Sequence, residues 1–288
     1  MTRSSTSRLV VLGSGYTGRV LHRMGTSQGW TVHTTSRNPL NNLAGIPSEQ
    51  CLRFDLDQPS TWLNIPVGAD LIWCFPATPL EQVRAFARTL DAPPRRIVVL
   101  GSTSAYDTSS ESTEYPPLWI DESAPLDQTK PRVQGEEYLC EYHGAIVLRV
   151  AGIYGLGRNP LDWIRQSRVG SSRKYVNLIH VEDLAAICLR ALEKGKPGEI
   201  YNVSDGTPRT WDEICAAAQQ RWGVAVTAAK IPLSSGKRIS TAKLRTELGY
   251  VLKHPNLYEA LATIESGNGA ERQDGQNDFQ QGPRRDGT

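Results

Sequence analysis

The sequence predicts an α/β fold, a doubly wound parallel sheet with helices on both faces, and three observations carry that expectation. Short apolar runs alternate with helical patterns from Leu9 to about Ala151, the order expected of a parallel sheet. The first run, Leu9 to Leu12, leads directly into Gly13, Gly15 and Gly18 at G-x-G-x-x-G spacing, with a helical pattern behind them. A later run, Asp70 to Phe75 (DLIWCF), is almost continuously apolar, as a strand covered on both faces must be.

The opening segment reads strand, tight turn, helix, because Tyr16, Val20, Leu21 and Met24 recur at helical spacing. Gly13 suits the sharp turn, Gly15 allows backbone to approach a pyrophosphate, and Gly18 allows helix and strand to pack closely. The N–H groups at the helix start, around Tyr16 and Thr17, would face the phosphates. This is the Rossmann-type dinucleotide fingerprint, and it makes nucleotide-cofactor binding the first functional expectation.

Trp30 to Thr35 reads as the second strand and delivers Ser36 and Arg37 to its C-terminal end. An acidic residue there would hold a ribose 2′-hydroxyl, whereas an arginine suits a 2′-phosphate, so Arg37 points to NADP rather than NAD. Cys51 to Leu56 reads as the third strand. Asp55, beside Leu56, is placed either to bond an adenine amine or simply to form a turn. After the fourth strand, Pro76-Ala77-Thr78-Pro79 stops regular structure beside the expected cofactor. Leu80, Val83, Phe86, Ala87 and Leu90 then mark an amphipathic helix. Arg96 to Leu100 is the fifth strand and carries Ser102 to Tyr106 to the sheet's C-terminal edge, where ligands of open α/β folds bind.

Asp107 to Asp127 holds several carboxylates and no Lys or Arg, and reads as a long irregular loop, either a lid over the site or a solvated acidic excursion. A helix is expected from Arg132 to His143 and a sixth strand from Ala145 to Ala151. Beyond Gly152 the pattern predicts a short helix at Leu161 to Val169, a strand at Tyr175 to His180, and a helix at Val181 to Lys194. A strand at Glu199 to Val203 follows, then a helix at Trp211 to Trp222 capped by Thr210 and closed by Gly223. The expected organisation is therefore a dinucleotide-binding domain over 1–151 and a smaller substrate lobe over 152–264, interleaved with the core. A polar tail over 265–288 has the composition of disorder.

Composition narrows the class. The 288 residues carry a formal net charge of +2, which gives no electrostatic case for nucleic acid or an anionic membrane as partner. No apolar stretch approaches the roughly 18 residues of a membrane span, and the Ser-rich start lacks the core of a signal peptide. The five cysteines are scattered, never in C-x-x-C spacing, and fit reduced thiols in a cytoplasmic protein. No metal site is expected: no H-E-x-x-H or clustered Cys/His spacing accompanies His180, which reads as a cap or orienting group for the Val181 helix.

Together, GSGYTG, LGSTSAYD, LRVAGIYGLGRNP, VNLIHVEDLAAICLRAL and GEIYNVSDGTP resemble the extended and atypical short-chain dehydrogenase/reductases, the NAD-dependent epimerase/dehydratase family, over roughly Leu9 to Leu261. The resemblance implies that Ser102 has the family's catalytic Ser/Thr role and that backbone around Ile153 lies by the nicotinamide. It also implies a Tyr and a Lys four positions apart on the helix after the acidic loop. Aligning Glu136 with the family's helix glutamate puts Gln128 and Arg132 in those places, and no Tyr in the chain is followed four residues later by Lys. Gln cannot shuttle a proton, and Arg132 stays charged, able to anchor ribose or phosphate but not to act as an acid.

The expected function is an NADP-binding oxidoreductase or epimerase-like enzyme acting on a small polar, possibly sugar-like, substrate, as a monomer or homodimer. The cofactor would be held by Gly13, Gly15, Tyr16, Thr17, Gly18, Ser36, Arg37, Asp55, Leu56, Pro76, Ala77, Ser102, Arg132 and Ile153. Ser102, Arg132 and a phenol, Tyr106 or Tyr154, are the candidates for chemistry, with a packing role open for either tyrosine. The alternative is a non-catalytic NADP-binding sensor or regulatory protein that keeps the fold without the proton shuttle.

Overall fold

The computed structural model describes residues 8–90, 96–107, 114–228 and 235–277, with 268–277 described by backbone alone. The start of the chain through Ser7, Glu111 of the acidic loop and positions 278–288 of the expected tail lie outside these residues.

Seven strands build the central sheet: β1 (Arg8–Leu12), β2 (Thr31–Ser36), β3 (Cys51–Arg53), β4 (Asp70–Trp73), β5 (Ile97–Ser102), β6 (Ile146–Val150) and β7 (Ile200–Val203). They lie in the order β3-β2-β1-β4-β5-β6-β7, and every pairing is parallel. The chain winds outward in both directions from the β1–β4 pair, so the crevice outside their C-terminal ends is the topological switch point of a Rossmann-type sheet.

Alternation along each strand divides the core. Leu9, Val11, Ile72, Val98 and Leu148 face helices α1 (Tyr16–Ser27) and α4 (Val181–Lys194), while Val10, Leu12, Leu71, Trp73 and Val99 face α2 (Leu80–Arg88) and α3 (Pro131–His143). Late in the sequence, β7 adds the last strand to the main sheet and α4 packs on one of its faces. Tyr154, Leu161, Trp211, Ile214 and Leu257 pack into a separate cluster. Its helix α5 (Trp211–Trp222) starts in a reciprocal capping box between Thr210 and Glu213 and ends at Gly223 with φ +61°.

Several boundaries differ from the sequence expectation. The third strand stops at Arg53 because Asp55 turns the chain, its Oδ1 accepting from Asp57 N–H and its carbonyl from Gln58 N–H. The fifth runs on through Ser102, because Gly101 and Ser102 keep register with Arg149 and Val150 of β6. The strand expected at Tyr175 to His180 breaks at Asn177, whose amide bonds Lys237 O and Ile239 N. Tyr175–Val176 pairs antiparallel with Arg209–Thr210, whereas Leu178–His180 pairs parallel with Gly152–Tyr154. The final helix, α6 (Leu257–Asn277), continues past position 265, where composition predicts the onset of a tail; Glu265 holds Asn159 and Arg165.

Candidate functional site

The glycine turn joins β1 to α1 at the switch point. Gly13 has φ +93° and donates its N–H to Thr35 Oγ1 at 2.9 Å, which ties the turn to β2. A Cβ on Gly18 would press into the Gly13 carbonyl oxygen, so only glycine lets α1 sit this close to the turn. A Cβ on Gly15 meets nothing within 4 Å: here the open space lies on the ligand side. Gly15 is also the N-cap of α1, provides no side-chain cap, and is followed by no acidic residue in the first turn. The helix therefore presents uncapped N–H groups and its partial positive charge to an open cradle, which is the donor set a pyrophosphate requires. Thr17 and Gly18 are buried behind this surface, and Tyr16 is half-buried on it.

A cleft of about 760 Å³ opens from the turn, lined by Gly13, Gly15, Tyr16, Ser36, Arg37, Asp55, Leu56 and Pro76 among the residues expected from sequence. Ser36 Oγ accepts from Asn38 N–H and Asn42 Nδ2–H, which shapes the loop after β2. Arg37 is exposed on the cleft wall and makes no ion pair among the described residues. Asp55 forms a turn and also lines the cleft. Ala77 is fully buried and sits behind the wall, where a Cβ on Gly135 of α3 would overlap its carbonyl. Sequence reasoning missed Arg19, Asn42, Phe54, Asp57 and Phe75, all of which line the same cleft. Arg19, one turn beyond Gly15 on α1, was readable from helical spacing, and it donates to Asn42 O at 3.0 Å. The cleft thus carries two guanidinium groups, Arg19 and Arg37.

Ser102, Tyr106, Arg132 and Ile153 do not line this cleft; they gather around the ends of β5 and β6. Ser102 Oγ accepts from Ser104 N–H at 3.1 Å, capping a short turn and leaving its own O–H as a donor. Arg132 donates from Nε to Glu136 Oε1 at 3.0 Å and from Nη2 to Leu100 O at 3.3 Å. Glu136 is fully buried and its other oxygen pairs with Arg149, itself fully buried in β6. Arg132 is thus one end of a buried Arg–Glu–Arg triad that locks α3 to the sheet behind Ser102. Gln128 is exposed and donates to Glu137 at 2.8 Å.

Neither phenol is presented to solvent. Tyr106 is buried and donates to Asn202 Oδ1 at 2.8 Å, and burial pushes its pKa up to about 12. Tyr154 is fully buried with its edge toward the His180 ring, and burial raises its pKa strongly. Ile153 lies on the short strand beside Leu178–His180. The Tyr16 hydroxyl donates to Leu156 O at 3.0 Å, which draws the loop after Tyr154 over the start of α1. Burial raises the Tyr16 pKa, with Arg158 opposing.

The described part of the acidic loop is strapped down. Trp119–Ile120 pairs with Arg238–Ile239, Glu122 accepts from Asn202 N–H at 2.7 Å, and Asp107 pairs with Lys237. Lys130, which sequence reasoning passed over, donates to Ser104 O at 2.5 Å and lies 3.5 Å from Asp127. His180 caps α4 as expected, with Nδ1 accepting from Glu182 N–H.

No family model matches the chain. Among curated proteins it is 27% identical to protein YeeZ of Escherichia coli K12 over 169 residues, 56% of this chain and 59% of that protein, so the match spans about three fifths of its relative's length. Among solved structures, a protein of Methylobacillus flagellatus assigned as an NAD-dependent epimerase/dehydratase is 26% identical with a TM-score of 0.72, covering 92% of this chain and 99% of the other. MoeE5 in complex with UDP-glucose and NAD superposes with a TM-score of 0.73 at 17% identity, covering 92% and 100%. Human epimerase family protein SDR39U1 with NADPH superposes with a TM-score of 0.66 at 19% identity, covering 89% and 98%. The last two show the fold alone. The structural neighbours are NAD-dependent epimerase/dehydratase and short-chain dehydrogenase/reductase proteins, in line with the resemblance read from the motifs, and they hold NAD in one case and NADPH in another.

Proposed function

We propose that this chain, whose neighbours are NAD(P)-dependent epimerase/dehydratase proteins, is an NADP-binding oxidoreductase or epimerase-like enzyme of the cytoplasm acting on a small polar, sugar-like substrate. The observation that carries the reading is the cleft at the switch point, where an uncapped helix start, an open Gly15 and two arginines converge. Gly13, Gly15 and the first N–H groups of α1 would hold the pyrophosphate, Asp55, Leu56 and Pro76 would flank the adenosine, and Arg37 with Arg19 would pair with a 2′-phosphate. Ala77 and Ile153 would bound the cofactor on its two sides. A bound nicotinamide supplies or accepts hydride.

Ser102 would donate its O–H to the reacting oxygen, with one of its two lone pairs taken by Ser104 N–H. Arg132, although held by Glu136 and Leu100 O, would lend its charge to the bound cofactor or substrate, in the position where the resemblance implies a lysine. Tyr106 acts in packing and in the bond to Asn202. The test is to follow NADPH oxidation across a panel of carbonyl compounds and nucleotide sugars, with Ser102→Ala as control. Turnover that falls at least about a hundredfold in the variant supports the reading; turnover unchanged in Ser102→Ala removes Ser102 from it.

A second reading, a non-catalytic NADP-binding sensor that works as a monomer or homodimer, is favoured by one observation. The two positions where a proton shuttle is expected hold an exposed Gln128 and an arginine committed to a buried triad. Tight NADPH binding with no turnover on any substrate of the panel selects this reading over the first.

A further inference from the structure

Close behind Tyr16 of the cofactor cleft, the start of α4 gathers three metal-ligating side chains from two parts of the chain. His180 is the N-cap of α4, Glu182 lies in its first turn, and His254 arrives from the segment leading into α6. One ligand atom of each lies within 4.8 Å of the others, wider than the roughly 3.3 Å between donors around one tetrahedral ion, so the side chains draw together when they share one. The imidazoles face one another with ring centroids 3.8 Å apart, and His254 Nε2 is 3.0 Å from Glu182 Oε2. From this arrangement we propose that His180, Glu182 and His254 form a binding site for a divalent transition-metal ion of the class that takes imidazole nitrogen and carboxylate oxygen together, such as zinc.

The support around the trio is rigid. Asp183, fully buried, accepts from Lys253 N–H at 2.7 Å, from His254 N–H at 2.9 Å and from the Tyr250 hydroxyl at 2.8 Å. Its carboxylate clamps the backbone that carries His254 onto α4, so the site is assembled before any ion arrives. The Tyr154 and His180 rings also pack edge-to-face, with centroids 5.2 Å apart. His180 Nδ1 accepts only a long 3.3 Å bond from Glu182 N–H, so a cation at that lone pair displaces little.

Charge also favours a cation. Glu182 already attracts one, the Lys253 ammonium at 2.7 Å, on a side chain that is 69% exposed and free to swing into water. Around the trio, the carboxylates of Glu182 and Asp183 face the Lys253 ammonium and the partial positive charge of the helix start. His254 and Glu182 are partly exposed, which leaves an entry path and room for a water as further ligand. Sequence spacing hides the site because Glu182 and His254 are 72 residues apart. A bound ion would rivet the segment before α6 to α4.

The test is titration of the full chain with Zn2+ by calorimetry and with Co2+ by visible absorption, on wild type, His254→Ala and Glu182→Gln. NADPH binding and far-UV circular dichroism of each variant confirm the fold independently. The expected result is one saturable site per chain, Co2+ bands of a low-coordinate N/O site, and a loss of more than about tenfold in affinity in each variant. No saturable binding by wild type, or variants that bind as wild type does, overturns the proposal. Because the readout is metal binding, it is independent of whether the cofactor cleft turns over.

Discussion

Breaking the buried triad should cost more than any surface change near the site. Glu136 and Arg149 are both fully buried, while Arg132, the third member, is 26% exposed. Glu136→Gln leaves the Arg149 guanidinium in the core without an anion, and Arg149 Nε and Nη2 already have no hydrogen-bond partner among the described residues. Removing one member of a buried pair typically costs about 3–5 kcal/mol, chiefly through the charge left behind. Arg149→Met is the milder break, near the lower end of about 3 kcal/mol, because Glu136 keeps Arg132 at 3.0 Å. For a chain of 288 residues, with about 2.1 cal/mol/K of unfolding entropy per residue, about 3 kcal/mol lowers Tm by roughly 5 °C. The double variant Glu136→Gln/Arg149→Met removes both buried charges and should lose much less than the two single losses added together. Urea and thermal melts of the four proteins by circular dichroism measure the cycle. Single losses under about 1 kcal/mol, or simple additivity, would refute the claim that these charges hold each other in the core.

Other expectations follow from single contacts. Gly135→Ala should destabilise by about 1–3 kcal/mol, since its Cβ overlaps the Ala77 carbonyl and both partners are backbone that cannot yield; urea denaturation checks this. Tyr106→Phe should cost about 1–2 kcal/mol by leaving Asn202 Oδ1 without its donor, yet leave any NADPH turnover within a factor of a few; a loss of several orders of magnitude would return Tyr106 to the chemistry. Arg37→Ala should weaken NADPH by roughly 10- to 100-fold and NADH hardly at all, because only the former offers a 2′-phosphate to pair with; equal losses in parallel fluorescence titrations would remove the basis for an NADP preference.

The parts of the fold that local chemistry decides were legible in the sequence. Three glycines at fixed spacing, a capping Thr210 and a closing Gly223 each impose a backbone shape on their own, and the structure places the turn, α1 and α5 where those residues require. Strand ends were less legible because they depend on partners. Ser102 belongs to β5 only because β6 runs alongside it, and Asn177 breaks a strand through bonds to residues some sixty positions away. The candidate site divides in the same way. Its cofactor half sits on one contiguous strand–turn–helix and was readable. The triad of Arg132, Glu136 and Arg149 was not, because sheet register rather than spacing brings Arg149 beside Gly101. The bond that occupies the Tyr106 hydroxyl likewise depends on Asn202, a residue 96 positions away.

Dinucleotide binding by the glycine turn is tested most directly by NADPH fluorescence titration of wild type beside Gly15→Trp. A Cβ at Gly15 meets nothing within 4 Å, so the indole has room to stand in the cradle without disturbing the core. The prediction is saturable NADPH binding by wild type and its loss in Gly15→Trp, with an unchanged melting curve. Failure of wild type to bind either dinucleotide, or equal binding by the folded variant, would contradict it.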